Sequence, residues 1–133
     1  MPFESLPGRS PASEATNMIR TKRAYEPPAR EDGKRVLIDR LWPRGLTKEA
    51  AHLDDWQREL APSTSLRVWF AHDPSRFRRF RERYRKELLR HRDALADLVL
   101  EAEKGTVTLV YAARDPEHCN AVVLKELIEE NLG

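Results

Sequence analysis

The chain has 133 residues, 40% of them apolar and 35% charged, with 24 Lys and Arg against 22 Asp and Glu. That length fits one domain with a real core, and a net charge of +2 removes any global electrostatic argument for nucleic acid or membrane. The single cysteine, Cys119, excludes an intramolecular disulfide and suits a reducing cytoplasm, no apolar run approaches the roughly 20 residues of a membrane span, and the N-terminus lacks a basic-then-apolar signal peptide.

Residues 1–17 carry Pro2, Pro7, Pro11, Ser5, Ser10, Ser13 and Gly8 with almost no apolar period, which predicts a disordered N-terminal tail. A single domain is expected over residues 18–133. Its first strand is expected near residues 19–25, followed by a Pro27-Pro28 loop and an Asp32-Gly33 turn. The second strand, residues 35–39, is an apolar run too short to be a helix. Thr47 is placed to cap a short turn, Asp54 or Asp55 to cap residues 56–60, and Ser63 to cap residues 66–70. Asp73-Pro74 reads as an N-cap with proline at the first helical position. It opens a long helix whose Phe77, Phe80, Tyr84 and Leu88 make one buried stripe. Leu95, Leu98, Val99 and Ala102 continue the pattern, with a break near residues 91–93 and a C-cap at Gly105.

Residues 106–111 form the clearest strand of the chain. Asp115-Pro116 repeats the cap-and-proline signature and is expected to start the last helix, with Val122, Val123, Leu124, Leu127 and Ile128 inward. The expected fold is α/β: a small, mostly parallel sheet of about three strands, in the order β-β-α-α-α-β-α, covered by helices. The long helical crossover makes the second and third strands parallel neighbours. Oligomeric state is not set by the sequence, although Leu132 at the end of the last helix is a candidate dimer contact.

Asp39-Arg40-Leu41-Trp42-Pro43-Arg44-Gly45 places a carboxylate, two guanidiniums and an indole directly after a buried strand. Ligands of open α/β sheets bind beyond the carboxyl ends of the strands. The parallel neighbour would bring Tyr111, Arg114, Asp115 and a helix N-terminus beside this cluster, and helix N-termini attract anions. The expected site is therefore an anion-accepting pocket, in an enzyme or a ligand-binding module, for a nucleotide or other phosphorylated small molecule. Arg40 and Arg44 would bind the anion, and Trp42 would form a stacking wall. Asp39, His72 and His118 are the candidate acid–base groups, with Tyr111, Asp115 and Asn120 as lining. The residues do not choose between hydrolysis and transfer. Cys119 near a helix start could be a nucleophile, although an isolated helical cysteine is more often a small buried hydrophobe. His52, His72, His91 and His118 never stand four apart and no Cys-x-x-Cys pair exists, so no metal site is expected, and no cofactor is named by any motif. Nine Lys or Arg within residues 76–92 offer an alternative, a nucleic-acid-binding or regulatory module. They spread around the helix, as on a solvated face. A non-catalytic structural domain is the third reading.

Several motifs in one order carry a family resemblance: Asp39 to Gly45, Asp55-x-Trp, Leu60-Ala-Pro-Ser63, Trp69-Phe-x-His-Asp-Pro74, Phe80-x-x-x-Tyr84, and Tyr111-Ala-Ala-x-Asp115 with His118 and Asn120. Across roughly residues 19–132 the chain resembles the YeaO-like branch of a domain-of-unknown-function family. The resemblance implies a small bacterial or archaeal α/β domain without an established reaction. Related branches carry a Cys-Ala-Glu-like segment at the last strand and then an Asp-Pro…Cys-His-Arg stretch. Here Tyr111 stands in place of the strand-end cysteine and Asn120 in place of the histidine, while Cys119 matches.

Overall fold

The computed structural model describes residues 19–132, and the tail expected over residues 1–17 lies outside them. Four parallel strands, β1 (Ile19–Arg23), β2 (Lys34–Leu37), β3 (Asp55–Trp56) and β4 (Val107–Tyr111), form one sheet in the order β1-β4-β2-β3. The helices are α1 (Lys48–Ala51), α2 (Thr64–Phe70), α3 (Phe77–Leu88), α4 (Arg92–Lys104) and α5 (Asn120–Glu130). β4 is central, every residue of it is buried, and its Val-Thr-Leu-Val-Tyr run is what a parallel strand covered on both faces requires. β2 and β4 are parallel neighbours as expected, with Val36 opposite Leu109. Among the described residues no helix is long and apolar enough to cross a membrane.

The expected three strands become four. Asp55 and Trp56 do not begin a helix; they pair with Val36 and Leu37. The backbone N–H groups of Asp54 and Gln57 extend that edge, donating to the carbonyls of Arg35 (2.8 Å) and Leu37 (2.9 Å). A 3-10 turn, Arg58–Leu60, takes the place of the helix expected there.

Most caps lie where local chemistry predicts. Thr47 Oγ1 accepts from the Ala50 N–H, Ser63 Oγ from Leu66 and Asp73 Oδ1 from Ser75. Asp73-Pro74 opens a 3-10 turn, Pro74–Arg76, that runs straight into α3. Phe77, Phe80, Tyr84 and Leu88 are all buried on one face of α3, and the Tyr84 hydroxyl donates to the Leu60 carbonyl. A 3-10 turn, Leu89–His91, separates α3 from α4. Gly105 ends α4, its N–H on the Glu101 carbonyl, in extended rather than left-handed backbone.

The start of the last helix requires correction. α5 begins at Asn120, not at Asp115. Asp115 Oδ1 accepts the N–H groups of Glu117 (2.9 Å) and His118 (3.1 Å), so its capping capacity is satisfied within a local turn. Cys119 is still extended, with φ −139° and ψ 170°, and forms the N-cap position without a side-chain cap bond. Val122 is half-buried and Ala121 joins the core in its place. Leu132, the candidate dimer contact, packs against the chain's own core.

The two faces of the sheet differ. Ile19, Val36, Ile38, Leu109 and Tyr111 face the main core, which α2 to α5 complete. The other face holds a smaller cluster, Ala24, Leu37 and Val110 with Trp42, Leu46, Leu53 and Trp56 against it. Beside that cluster lies a buried polar network. Arg35, 3% exposed, donates from Nη1 to Asp32 Oδ2 (2.6 Å) and from Nη2 to the Ala51 carbonyl (2.8 Å). Lys22 Nζ is 3.1 Å from Asp32 Oδ2. Burial alone would raise the Asp32 pKa, but the Ala29 N–H, Lys22 and Arg35 outweigh it and hold the carboxyl below the usual range. Gly33 makes the turn into β2 at φ +61°, and a Cβ there would stand 2.2 Å from the Thr106 carbonyl oxygen.

Candidate functional site

β2, β4 and the start of α5 meet beyond the carboxyl ends of the strands, and Asp39 joins them. After Leu37 the chain stays beside β4 for one more residue, Ile38 N–H donating to the Val110 carbonyl (3.1 Å). Asp39 then accepts from the Ala112 N–H at Oδ2 (2.8 Å) and from the Asn120 amide at Oδ1 (3.0 Å). The Asn120 amide also donates to the Ile38 carbonyl (3.0 Å). Burial pushes the Asp39 pKa up. The Ala112 and Asn120 hydrogen bonds and the charges of His72 and Arg67 pull the other way without cancelling it.

A cavity of about 460 Å³ opens beside this tie. Of the nine residues expected at a site, Asp39, Arg40, Trp42, Arg44, His72 and Asn120 line it. The loop that carries four of them is held by its own polar atoms. Arg40 Nε donates to the Pro62 carbonyl (3.3 Å), the Trp42 indole to Leu46 (2.6 Å), and the Tyr25 hydroxyl to the Arg44 carbonyl (2.9 Å). Trp56, set edge-on to Trp42 at 5.5 Å, donates its indole N–H to the Asp39 carbonyl (2.6 Å). Trp42 is therefore a fixed wall. His72 reaches the rim through two successive left-handed residues, Ala71 (φ 49°) and His72 (φ 56°). Each left-handed non-glycine residue costs roughly 1–2 kcal/mol.

Tyr111, Asp115 and His118 do not line the cavity, which corrects the expectation for them. Tyr111 is 2% exposed and packs in the main core; burial, with smaller effects from nearby charged groups, pushes its pKa up to about 12. His118 faces away because the local turn pairs its Nδ1 with Asp115 Oδ2 (2.8 Å) and sets its ring edge-on to Phe77 at 5.2 Å. The Glu117 N–H and the His118 ring hold the Asp115 carboxyl below its ordinary range. The Cys119 thiol borders the cavity, but burial pushes its pKa up, against the opposing N–H groups of Val122 and Ala121. A thiol kept protonated is a poor nucleophile.

Sequence reasoning missed Arg67, Phe70 and Phe80. Arg67 and Phe70, three apart on α2, share a helix face that meets the cavity, and Phe70 stacks on Phe80 at 4.3 Å. That spacing just before His72 was the available signal. Among the described residues no group of three or more His, Cys, Asp or Glu side chains is placed to hold a metal ion.

Fold and cavity together define a small parallel α/β domain with a cavity beside the strand ends. The chain belongs to the YeaO-like DUF488 family: residues 18–133 match the family model described as the inactive DUF488-N3 subclade. It is 41% identical to the uncharacterised protein YeaO of Escherichia coli over 108 residues, which cover 81% of this chain and 94% of that protein. It is 40% identical over 110 residues to uncharacterised proteins of Mycobacterium bovis and Mycobacterium tuberculosis, covering 83% of this chain and 92% of each. No solved structure matches the chain significantly.

Proposed function

We propose that this chain is a binding domain without a reaction of its own, and that its strand-end cavity takes a nucleotide or another phosphorylated small molecule. The observation that carries this reading is the charge of the lining. Arg40, Arg44, Arg67 and His72 surround the cavity, and against them stands one carboxylate, Asp39, whose two oxygens already accept hydrogen bonds. Arginine forks suit phosphate and carboxylate. Three features favour binding over catalysis. The candidate acid–base groups do not converge, since His118 is turned toward Phe77. The positions that carry cysteine and histidine in the related branches are Tyr111, in the core, and Asn120, tied to Asp39. The description of the matching subclade is "inactive".

The basic helix gains no comparable support as a nucleic-acid surface. Arg81 pairs with Glu126 (3.0 Å) and Arg85 with Glu130 (2.6 Å). Arg76 and Arg83 lie over the Trp69 ring.

Thermal-shift titration with nucleotides, phosphorylated sugars and inorganic phosphate tests the proposal. A ligand at 100 times its Kd adds about 2.7 kcal/mol to stability, which raises the Tm of a domain this size by several degrees. Arg40→Ala and Arg44→Ala are expected to remove the shift while remaining folded. Equal shifts in these variants and the parent would overturn the assignment.

A further inference from the structure

The cavity is lined by cationic groups and by acceptors, and this pairing sharpens the reading just given, on which it rests. Arg44, Arg67 and His72 are exposed lining residues. Asp39 and Asn120, also in the lining, are half-buried. The orientation of the Asn120 amide follows from its partners. Nδ2 lies 3.0 Å from both the Ile38 carbonyl and Asp39 Oδ1, and a carbonyl oxygen can only accept. Both amide N–H groups are therefore engaged, and the amide oxygen has no protein partner among the described residues. Nor is it sealed from solvent, for the buried side-chain polar atom lacking a partner among the described residues is Arg81 Nε. The Asp39 oxygens each hold one protein donor and keep capacity for another. Asp39 and Asn120 thus present acceptors. Trp42, Phe70 and Phe80 add flat apolar surface to the lining.

We infer that the cavity binds a guanine-type nucleotide, with two adjacent N–H donors of the heterocycle facing Asp39 and Asn120 and the phosphate among Arg44, Arg67 and His72. Guanine carries a ring N–H beside an exocyclic amino group, a donor pair that matches a carboxylate with an amide oxygen next to it. Adenine and cytosine set a ring-nitrogen acceptor beside their amino group, and uracil flanks its one N–H with two carbonyls. Each of these turns an acceptor toward Asp39. A site built to hydrogen-bond a donor discriminates strongly against an analogue that lacks it.

Isothermal titration of the full chain with GMP, IMP, AMP and ribose 5-phosphate tests this. IMP differs from GMP only by the missing amino group. GMP is expected to bind about tenfold or more tighter than IMP, the ratio for losing one hydrogen bond to a charged acceptor. AMP should bind more weakly than IMP, and ribose 5-phosphate weakest. In Asn120→Ala and Asp39→Asn the GMP-to-IMP ratio should approach one, with ribose 5-phosphate bound as in the parent. If Asp39→Asn does not fold, the ranking on the parent decides alone. Equal affinities for all four, or a preference for AMP, overturn the inference and leave the anion pocket standing, provided Arg44→Ala weakens every ligand. No binding by any of the four also overturns it, and the anion pocket falls with it only if the wider thermal-shift screen is blank.

Discussion

Replacing Asp39 by alanine tests the junction on which the site is built. The substitution strands the Ala112 N–H and one N–H of the Asn120 amide, and each buried donor left without a partner costs about 1–3 kcal/mol. Removing a carboxylate whose burial disfavours its charge gives part of this back. The expected net loss at neutral pH is about 2–4 kcal/mol, a large share of the ~5–15 kcal/mol that stabilises an ordinary domain. Urea unfolding followed by circular dichroism measures it, with an unchanged slope showing that both chains unfold from comparable states. The pH dependence supplies a second check. Because the folded-state pKa of Asp39 is raised, its contribution is fully present below the ordinary carboxylate value of 3.8 and declines as pH rises through the raised one. The gap between parent and Asp39→Ala should therefore narrow from pH 4 to pH 7. A gap that widens with pH would mean that the folded chain prefers the charged carboxylate, contrary to the burial argument. An Asp39→Ala variant as stable as the parent at both pH values would show that the tie holds nothing.

Three further outcomes follow from the same structure. Gly33→Ala should destabilise by about 2 kcal/mol or more, because the left-handed backbone penalty is joined by a Cβ 2.2 Å from the Thr106 oxygen; Gly45→Ala, at φ +77° with nothing within 4 Å, should lose only about 1 kcal/mol. Equal losses in thermal unfolding would refute the contact. Arg35→Met leaves the fully buried Asp32 to Lys22 and Arg20 and should lower the urea midpoint by the equivalent of about 3–5 kcal/mol, an unchanged midpoint being the contrary result. Burial pushes the folded-state pKa of Tyr111 from the ordinary 10 up to about 12, so stability should fall as pH rises between those values. Tyr111→Phe should flatten that alkaline loss, and an equally steep loss in the variant would assign it elsewhere.

The elements that were legible from residues alone are those whose signal is contained in a few neighbouring positions. The Val-Thr-Leu-Val-Tyr run of β4, the Phe77-to-Leu88 stripe of α3, and the hydroxyl caps Thr47 and Ser63 each state their structure locally. β3 was not legible because two residues cannot show a period, and Asp54-Asp55 before Trp56 imitates a helix start. The Asp115-Pro116 signature misplaced α5 because the carboxylate satisfied nearby N–H groups in a turn that no helix follows for several residues. The site divides in the same way. Asp39 and Asn120 stand 81 residues apart, yet both flank strands that must be neighbours, so their meeting could be anticipated. Arg67 shares a helix face with Phe70, but that this face meets the cavity depends on the tertiary placement of α2, which the spacing alone does not encode. His118 stands only two residues before Asn120 in sequence, yet the local turn sends the two side chains in different directions.

In this fold the group that holds the strand ends together also lines the cavity. Asp39 bridges the ends of β2 and β4 and the first residue of α5, while its remaining acceptor capacity faces the space a ligand would fill. A base needs freedom to exchange its proton with a substrate, whereas a carboxylate fixed by two protein donors is suited to orienting a donor-bearing ligand. The same holds for Asn120, which cannot titrate, and for Tyr111, whose bulk lies in the core beneath. The exposed Arg44, Arg67 and His72 have no such duty toward the strand ends, so they can be replaced with less effect on folding. Loss of stability should therefore track Asp39 and Asn120, and loss of anion affinity the exposed cations. That separation distinguishes a binding pocket from a charged network that merely holds the sheet together, because in the latter no substitution of the exposed cations would alter a ligand-induced shift.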